Sequence, residues 1–164
     1  MDLAFRLRTP NLCRVQATII IMTEHQISLI KNSWNQVRSL DPVLVGDVFY
    51  SKLFVEAPEL YHLFKTPRPE QSKKLIGMIS VVVAKLDKLS DLTYDIEQLA
   101  KRHVRYGTQP EHYTVVGSAL LWTLEVGLGT SWNDELKEAW SICYGILSST
   151  MIKASEYATE TVLS

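Results

Sequence analysis

The chain has 164 residues, of which 46% are apolar and 21% charged, with a formal net charge of −1. That length and balance fit one soluble domain with a sizeable core, and the charge gives no global basic field to recruit nucleic acid. No apolar run is long enough to span a membrane, and the two cysteines, Cys13 and Cys143, form no CxxC and no disulfide framework, which fits a reducing cytoplasm.

In chain order, Arg6, Arg8 and Arg14 precede a short apolar stretch ending Ile19-Ile20-Ile21, too short for a convincing signal peptide. Thr23-x-x-Gln26 reads as a capping box opening a helix. The folded globular domain is therefore expected over 23–157. Residues 1–22 would be an N-terminal extension, or a start placed too early, and 158–164 a C-terminal tail.

Helical spacing follows. Ile27, Ile30, Trp34 and Val37 mark a helix over 24–39. Asp41-Pro42 caps the next, over 42–56, with Val45, Val48, Phe49 and Phe54. Pro58 restarts a short segment, 58–63, before Phe64. Thr66-Pro67-Arg68-Pro69 predicts a loop. Gln71, Leu75, Met78, Val82 and Leu86 form one stripe over 70–88, although Ser80 to Ala84 alone would score as a strand. Ile96, Leu99 and His103 form another over 93–105. Gly107 and Pro110 break the pattern before 110–126, which carries Val115, Val116, Leu120 and Leu124. After Gly127-Leu128-Gly129, residues 132–157 show Leu136, Ala139, Trp140, Cys143, Leu147 and Met151. The fold class is all-α.

Enzyme motifs are sparse. There is no GxxxxGK[ST], HExxH or GxSxG, and Gly127-x-Gly129 lacks the third glycine and the strand of a dinucleotide site. His25, His62 and His112 lie near helix starts or in a short helix, and read as surface or capping residues. His103 differs, because it ends an apolar stripe. Gln71 heads another. Both are costly to bury without partners, which suggests that something polar or metallic lies between the two helices. With Tyr50, Phe64, Leu75, Leu99 and Tyr113 they would make a mainly apolar pocket carrying a few polar groups, as cofactor sites do. One histidine without a carboxylate partner suits an axial haem ligand better than zinc, which wants three or four protein ligands.

Several motifs then fall in order: Phe49-Tyr50, Pro58-Glu59-Leu60 with Phe64, Gln71-x-x-x-Leu75, Arg102-His103, Pro110-Glu111-x-Tyr113, Val116-Gly117, Leu120-Leu121, Leu124-Glu125, Ala139-Trp140 and Tyr144-Gly145. The chain resembles a globin over about residues 23–157, and is most similar to bacterial single-domain haemoglobins and to the globin part of flavohaemoglobins. Neuroglobins are more distant. The resemblance implies about seven to eight helices around haem b (iron protoporphyrin IX). It makes His103 the proximal iron ligand and Phe64 a wedge on the haem face. Tyr50, Gln71 and Leu75 would form the distal pocket, Leu99, Met78, Val116 and Tyr113 the lining, and Lys74 a partner for a haem propionate. Globins more often carry a distal histidine where this chain has Gln71, whereas the flavohaemoglobin-like branch has glutamine. That branch also has a glutamate in the last helix supporting the proximal histidine. Here Ser155 takes its place, with Glu156 adjacent, and a one-residue offset turns a helical side chain by about 100°.

The implied function is reversible oxygen binding at ferrous iron, with conversion of nitric oxide to nitrate by means of a separate reductase. The implied partners are diatomic gases (oxygen, nitric oxide, carbon monoxide) and that electron donor, with no nucleic acid and no membrane span. A gas-sensing globin, oxygen storage without turnover and a haem-free regulatory domain are the alternatives. Monomer and dimer are both open.

Overall fold

The computed structural model describes residues 22–160, so the sequence readings for 1–21 and 161–164 lie outside the described residues. Six α-helices and three short 3-10 segments make up the described chain. Helix α1, Glu24–Val37, opens with the expected capping box: Thr23 accepts from the Gln26 N–H and Gln26 accepts from the Thr23 N–H. Met22, just ahead of this helix, is buried in the main core. Helix α2, Pro42–Glu56, starts where Asp41 accepts from the Val43 N–H. A 3-10 segment covers Pro58–Leu63.

Helix α3, Arg68–Ala84, begins inside the expected loop. Pro69 sits in its first turn, where the missing N–H has no intrahelical partner to lose. The helix also ends earlier than the apolar stripe. The β-branched run Val81-Val82-Val83 weakens it, and a 3-10 segment, Leu86–Leu92, follows with Lys88 off helical geometry. Leu86 therefore belongs to that segment, and it buries together with Leu92.

Helix α4, Thr93–Tyr106, ends at Gly107 in the left-handed region (φ 87°). The Gly107 N–H bonds the Val104 carbonyl and the Thr108 N–H bonds the His103 carbonyl. This Schellman closure needs glycine, and it fixes the turn that carries His103. Helices α5, His112–Leu128, and α6, Asp134–Glu160, complete the chain; α6 continues beyond the expected end at 157.

The core sits where α1, α3, α5 and α6 meet. Trp34 and Trp140 pack edge to face at 6.0 Å. Their indole N–H groups donate to Ser80 and Ser33, each at 3.0 Å, so neither buried donor is orphaned. Two glycines permit close crossings. A Cβ on Gly46 would collide with the Ser72 side chain and backbone, and one on Gly117 would reach within 2.5 Å of the Tyr144 ring. The first crossing holds α2 against α3, and the second holds α5 against α6. Helices α2, α3 and α5 line the cavity described next, and α6 borders the recess behind it.

Candidate functional site

A cavity of about 730 Å³ opens between α2, α3, α4 and α5, within the usual range for cofactor sites. It gathers all ten residues singled out in the sequence: Tyr50, Phe64, Gln71, Lys74, Leu75, Met78, Leu99, His103, Tyr113 and Val116. Phe49, Leu75, Met78, Leu99, His103, Tyr113 and Val116 also border an inner, mostly apolar recess of about 180 Å³ that runs toward Cys143 and Met151 on α6.

On the α4 wall, His103 Nδ1 lies 2.9 Å from the Leu99 carbonyl. A carbonyl only accepts, so Nδ1 carries the proton. Nε2 keeps its lone pair on a side chain that lines the cavity. Burial holds the His103 pKa below its ordinary value, because the charged form is poorly solvated there. The Tyr113 ring lies nearly parallel to His103 at 6.4 Å. Tyr113 is itself tied to α6 by the Tyr144 hydroxyl, which donates to its carbonyl at 2.6 Å. Glu156 is exposed and Ser155 donates to the Ile152 carbonyl; the described hydrogen bond of the imidazole is to Leu99.

On the opposite wall, Tyr50 is buried, with the Gln71 side chain beside its phenol. Burial pushes its phenol up to about 12, while Gln71 and Arg68 pull in the other direction. The downward pull is the sense expected when the Gln71 amide donates to the phenol oxygen. Phe64 packs edge-on to Tyr50 at 5.3 Å and to Phe54 at 5.4 Å.

Lys65, Lys74, Arg102 and Arg105 line the cavity, with no aspartate or glutamate among its lining residues. His112 lines it too, and its Nδ1 accepts from the Gln109 N–H at 3.1 Å, so the surface or capping reading for His112 was incomplete. His25 and His62 are exposed. Among the described residues no group of three or more His, Cys, Asp and Glu side chains could hold a bare metal ion.

The donor set fits a haem. A mainly apolar cavity has one neutral imidazole with a free Nε2 on one wall and the polar side chains Tyr50 and Gln71 on the other. Cations without carboxylates suit the two carboxylates at the haem edge.

The globin family profile matches residues 47–151, well over half of the chain. The chain belongs to the globin family. It is 30% identical over 135 residues to a flavohemoprotein from Vibrio cholerae, covering 80% of this chain but 34% of that protein. The chain thus spans about a third of the flavohemoproteins it matches. It is also 30% identical over 132 residues to an uncharacterised globin-like protein from Aquifex aeolicus, covering 80% of this globin and 93% of that one. Among solved structures, an engineered carbene transferase from Rhodothermus marinus, provisionally described as a nitric oxide dioxygenase, superposes with a TM-score of 0.77 at 24% identity, covering 87% of this chain and 99% of that one. A bacterial globin from Campylobacter jejuni gives 0.74 at 23% identity, covering 84% and 99%. The structural likenesses show the fold.

Sequence reasoning missed Arg68, which had been placed in a loop, and the two helix-crossing glycines. A glycine inside a helical pattern is a signal for close packing, but it does not name the partner.

Proposed function

We propose that this globin binds haem through His103, takes oxygen on the Tyr50–Gln71 side, and converts nitric oxide to nitrate with electrons from a separate reductase. The observation that carries the reading is the single cavity with an oriented, neutral His103 on one wall and a Tyr50–Gln71 donor pair on the other. When bound, the haem would supply a redox-active iron that can take a diatomic gas, and making nitrate from NO and O2 consumes one electron, which the separate reductase must deliver at each turnover.

The protein supplies orientation. The Leu99 carbonyl fixes the His103 tautomer, and the Schellman closure at Gly107 fixes its backbone. The Tyr50 hydroxyl donates toward a diatomic ligand carrying partial negative charge. Such a bond in a dry site contributes roughly 1–3 kcal/mol, which is about five- to 150-fold in residence time. Gln71 holds the phenol in place. Phe64, Leu75 and Met78 limit water and restrict the haem slot to a planar group. The cationic rim of Lys65, Lys74, Arg102 and Arg105 meets the haem carboxylates.

The flavohemoprotein relatives support a gas ligand and an electron donor. The provisional description of the Rhodothermus marinus protein points to nitric oxide as co-substrate. The test is a nitric oxide electrode trace with haem-loaded, reduced protein in aerated buffer and a chemical reductant. Uptake should yield one nitrate per nitric oxide consumed. Uptake no faster than in buffer, with no nitrate formed, would reject the reaction.

A further inference from the structure

Arg68 is the first residue of α3, one turn before Gln71, so the two share a face of the helix. Its guanidinium carbon lies 5.2 Å from the centroid of Tyr50 and 5.2 Å from that of Phe54. Those rings stack on each other at 5.9 Å with 25° between planes. One cation therefore rests on two stacked rings one turn apart on α2. Among the described residues it pairs with Asp47, at 4.0 Å with both side chains partly exposed. A pair of that kind is weak, which leaves the aromatic faces as the main determinant of where the guanidinium sits. Arg68 is not among the residues lining the cavity.

We propose that Arg68 is a positioning residue for Tyr50, and through it sets how long a diatomic ligand stays in the distal half of the cavity. The inference rests on the haem-binding reading above. A cation on the ring face is attracted to the π electrons and resists rotation of the ring. It also withdraws electron density from the phenol, making the O–H a stronger donor, and it lowers the Tyr50 pKa against the effect of burial. Gln71 acts on the oxygen and Arg68 on the ring, from adjacent turns of one helix. Lysine cannot lie flat on two rings as a planar guanidinium does.

Two measurements test this. In the haem-loaded protein, Arg68→Met should speed oxygen release about three- to tenfold, and Arg68→Lys should fall between Met and wild type. In a Tyr50→Phe background the same Arg68→Met change should add nothing, since the hydroxyl through which it acts is gone. Equal acceleration in both backgrounds, or none in either, overturns the proposal. In the protein without haem, NMR of [ζ-13C]tyrosine should show one resonance that disappears in Tyr50→Phe and moves in Arg68→Met. A resonance that does not move overturns the contact itself. A protein that binds no haem would sink the ligand role together with the proposed function, while the NMR shift would still decide whether Arg68 acts on Tyr50.

Discussion

Tyr50 on α2 and Gln71 on α3 line one cavity with His103, and the Gln71 side chain opposes the effect of burial on the Tyr50 phenol. The Gly46–Ser72 crossing sets the spacing of the two helices. Tyr50 is buried and keeps its proton far above neutral pH, at about 12. That wall therefore presents a protonated phenol beside an amide over the whole physiological range.

Removing that hydroxyl should shorten ligand residence. Tyr50→Phe is expected to speed oxygen release about five- to 150-fold, for a lost bond of roughly 1–3 kcal/mol. Gln71→Leu should act in the same direction. The double variant should show less than the product of the two effects, since Gln71 acts partly by holding Tyr50. Stopped-flow release rates measure all three, and an unchanged rate in Tyr50→Phe removes the tyrosine from the distal role.

Much of this site was legible in the sequence, for a physical reason. Apolar stripes at helical spacing predict inward faces, so Leu75, Leu99 and Val116 fall into place by periodicity alone. His103 and Gln71 stand out because they are polar groups on those stripes. The misplaced features depended on tertiary context. Arg68 looked like loop because proline punctuates chains, yet a first-turn proline is tolerated. The break after Ala84 was hidden because Leu86 keeps the apolar spacing while belonging to a different, tighter turn. Gly46 and Gly117 owe their roles to Ser72 and Tyr144 on other helices, which no local pattern identifies.

The crossing at Gly46 should be intolerant of a side chain. Gly46→Ala gains up to about 1 kcal/mol in helix propensity, but overpacking against the Ser72 backbone costs roughly 1–3 kcal/mol or more. Net destabilisation is expected in urea unfolding, with faster oxygen release as α2 moves from α3. Ser72→Ala should behave differently. Its hydroxyl is fully buried with no hydrogen-bond partner, so removing it should leave stability unchanged or raise it slightly. A loss of more than about 1 kcal/mol in Ser72→Ala would mean that the hydroxyl has a partner after all.

Alkali should unfold the protein through its buried acids. Cys143 is raised from 9.0 to about 12 and Tyr50 from 10.0 to about 12, both by burial. Above the unfolded value the unfolded chain loses a proton that the folded chain keeps, so unfolding is favoured as pH rises. The stabilisation is complete below pH 9 and is lost progressively up to about 12. The shifts correspond to on the order of 4 kcal/mol for Cys143 and about 3 kcal/mol for Tyr50. Urea unfolding from pH 8 upward should show this slope, and Cys143→Ala should flatten its first part, where Tyr50 has barely begun to contribute. A flat profile to pH 11 would contradict the burial of both groups.

The tie between α5 and α6 should matter for the wall behind His103. Tyr144→Phe removes the 2.6 Å bond to the Tyr113 carbonyl, at an expected cost of about 1 kcal/mol. Thermal unfolding should register that loss. A Tyr144→Phe protein as stable as wild type would show that the ring seated against Gly117, rather than the hydroxyl, makes the tie.

Haem titration followed by absorbance tests the central claim most directly, using wild type and His103→Gly with and without imidazole. The account predicts a Soret band that saturates at one haem per wild-type chain. His103→Gly should give an altered, weaker spectrum, with the wild-type form restored by imidazole filling the vacated axial position. No saturable Soret band in wild type, or a His103→Gly spectrum identical to wild type without imidazole, would contradict it.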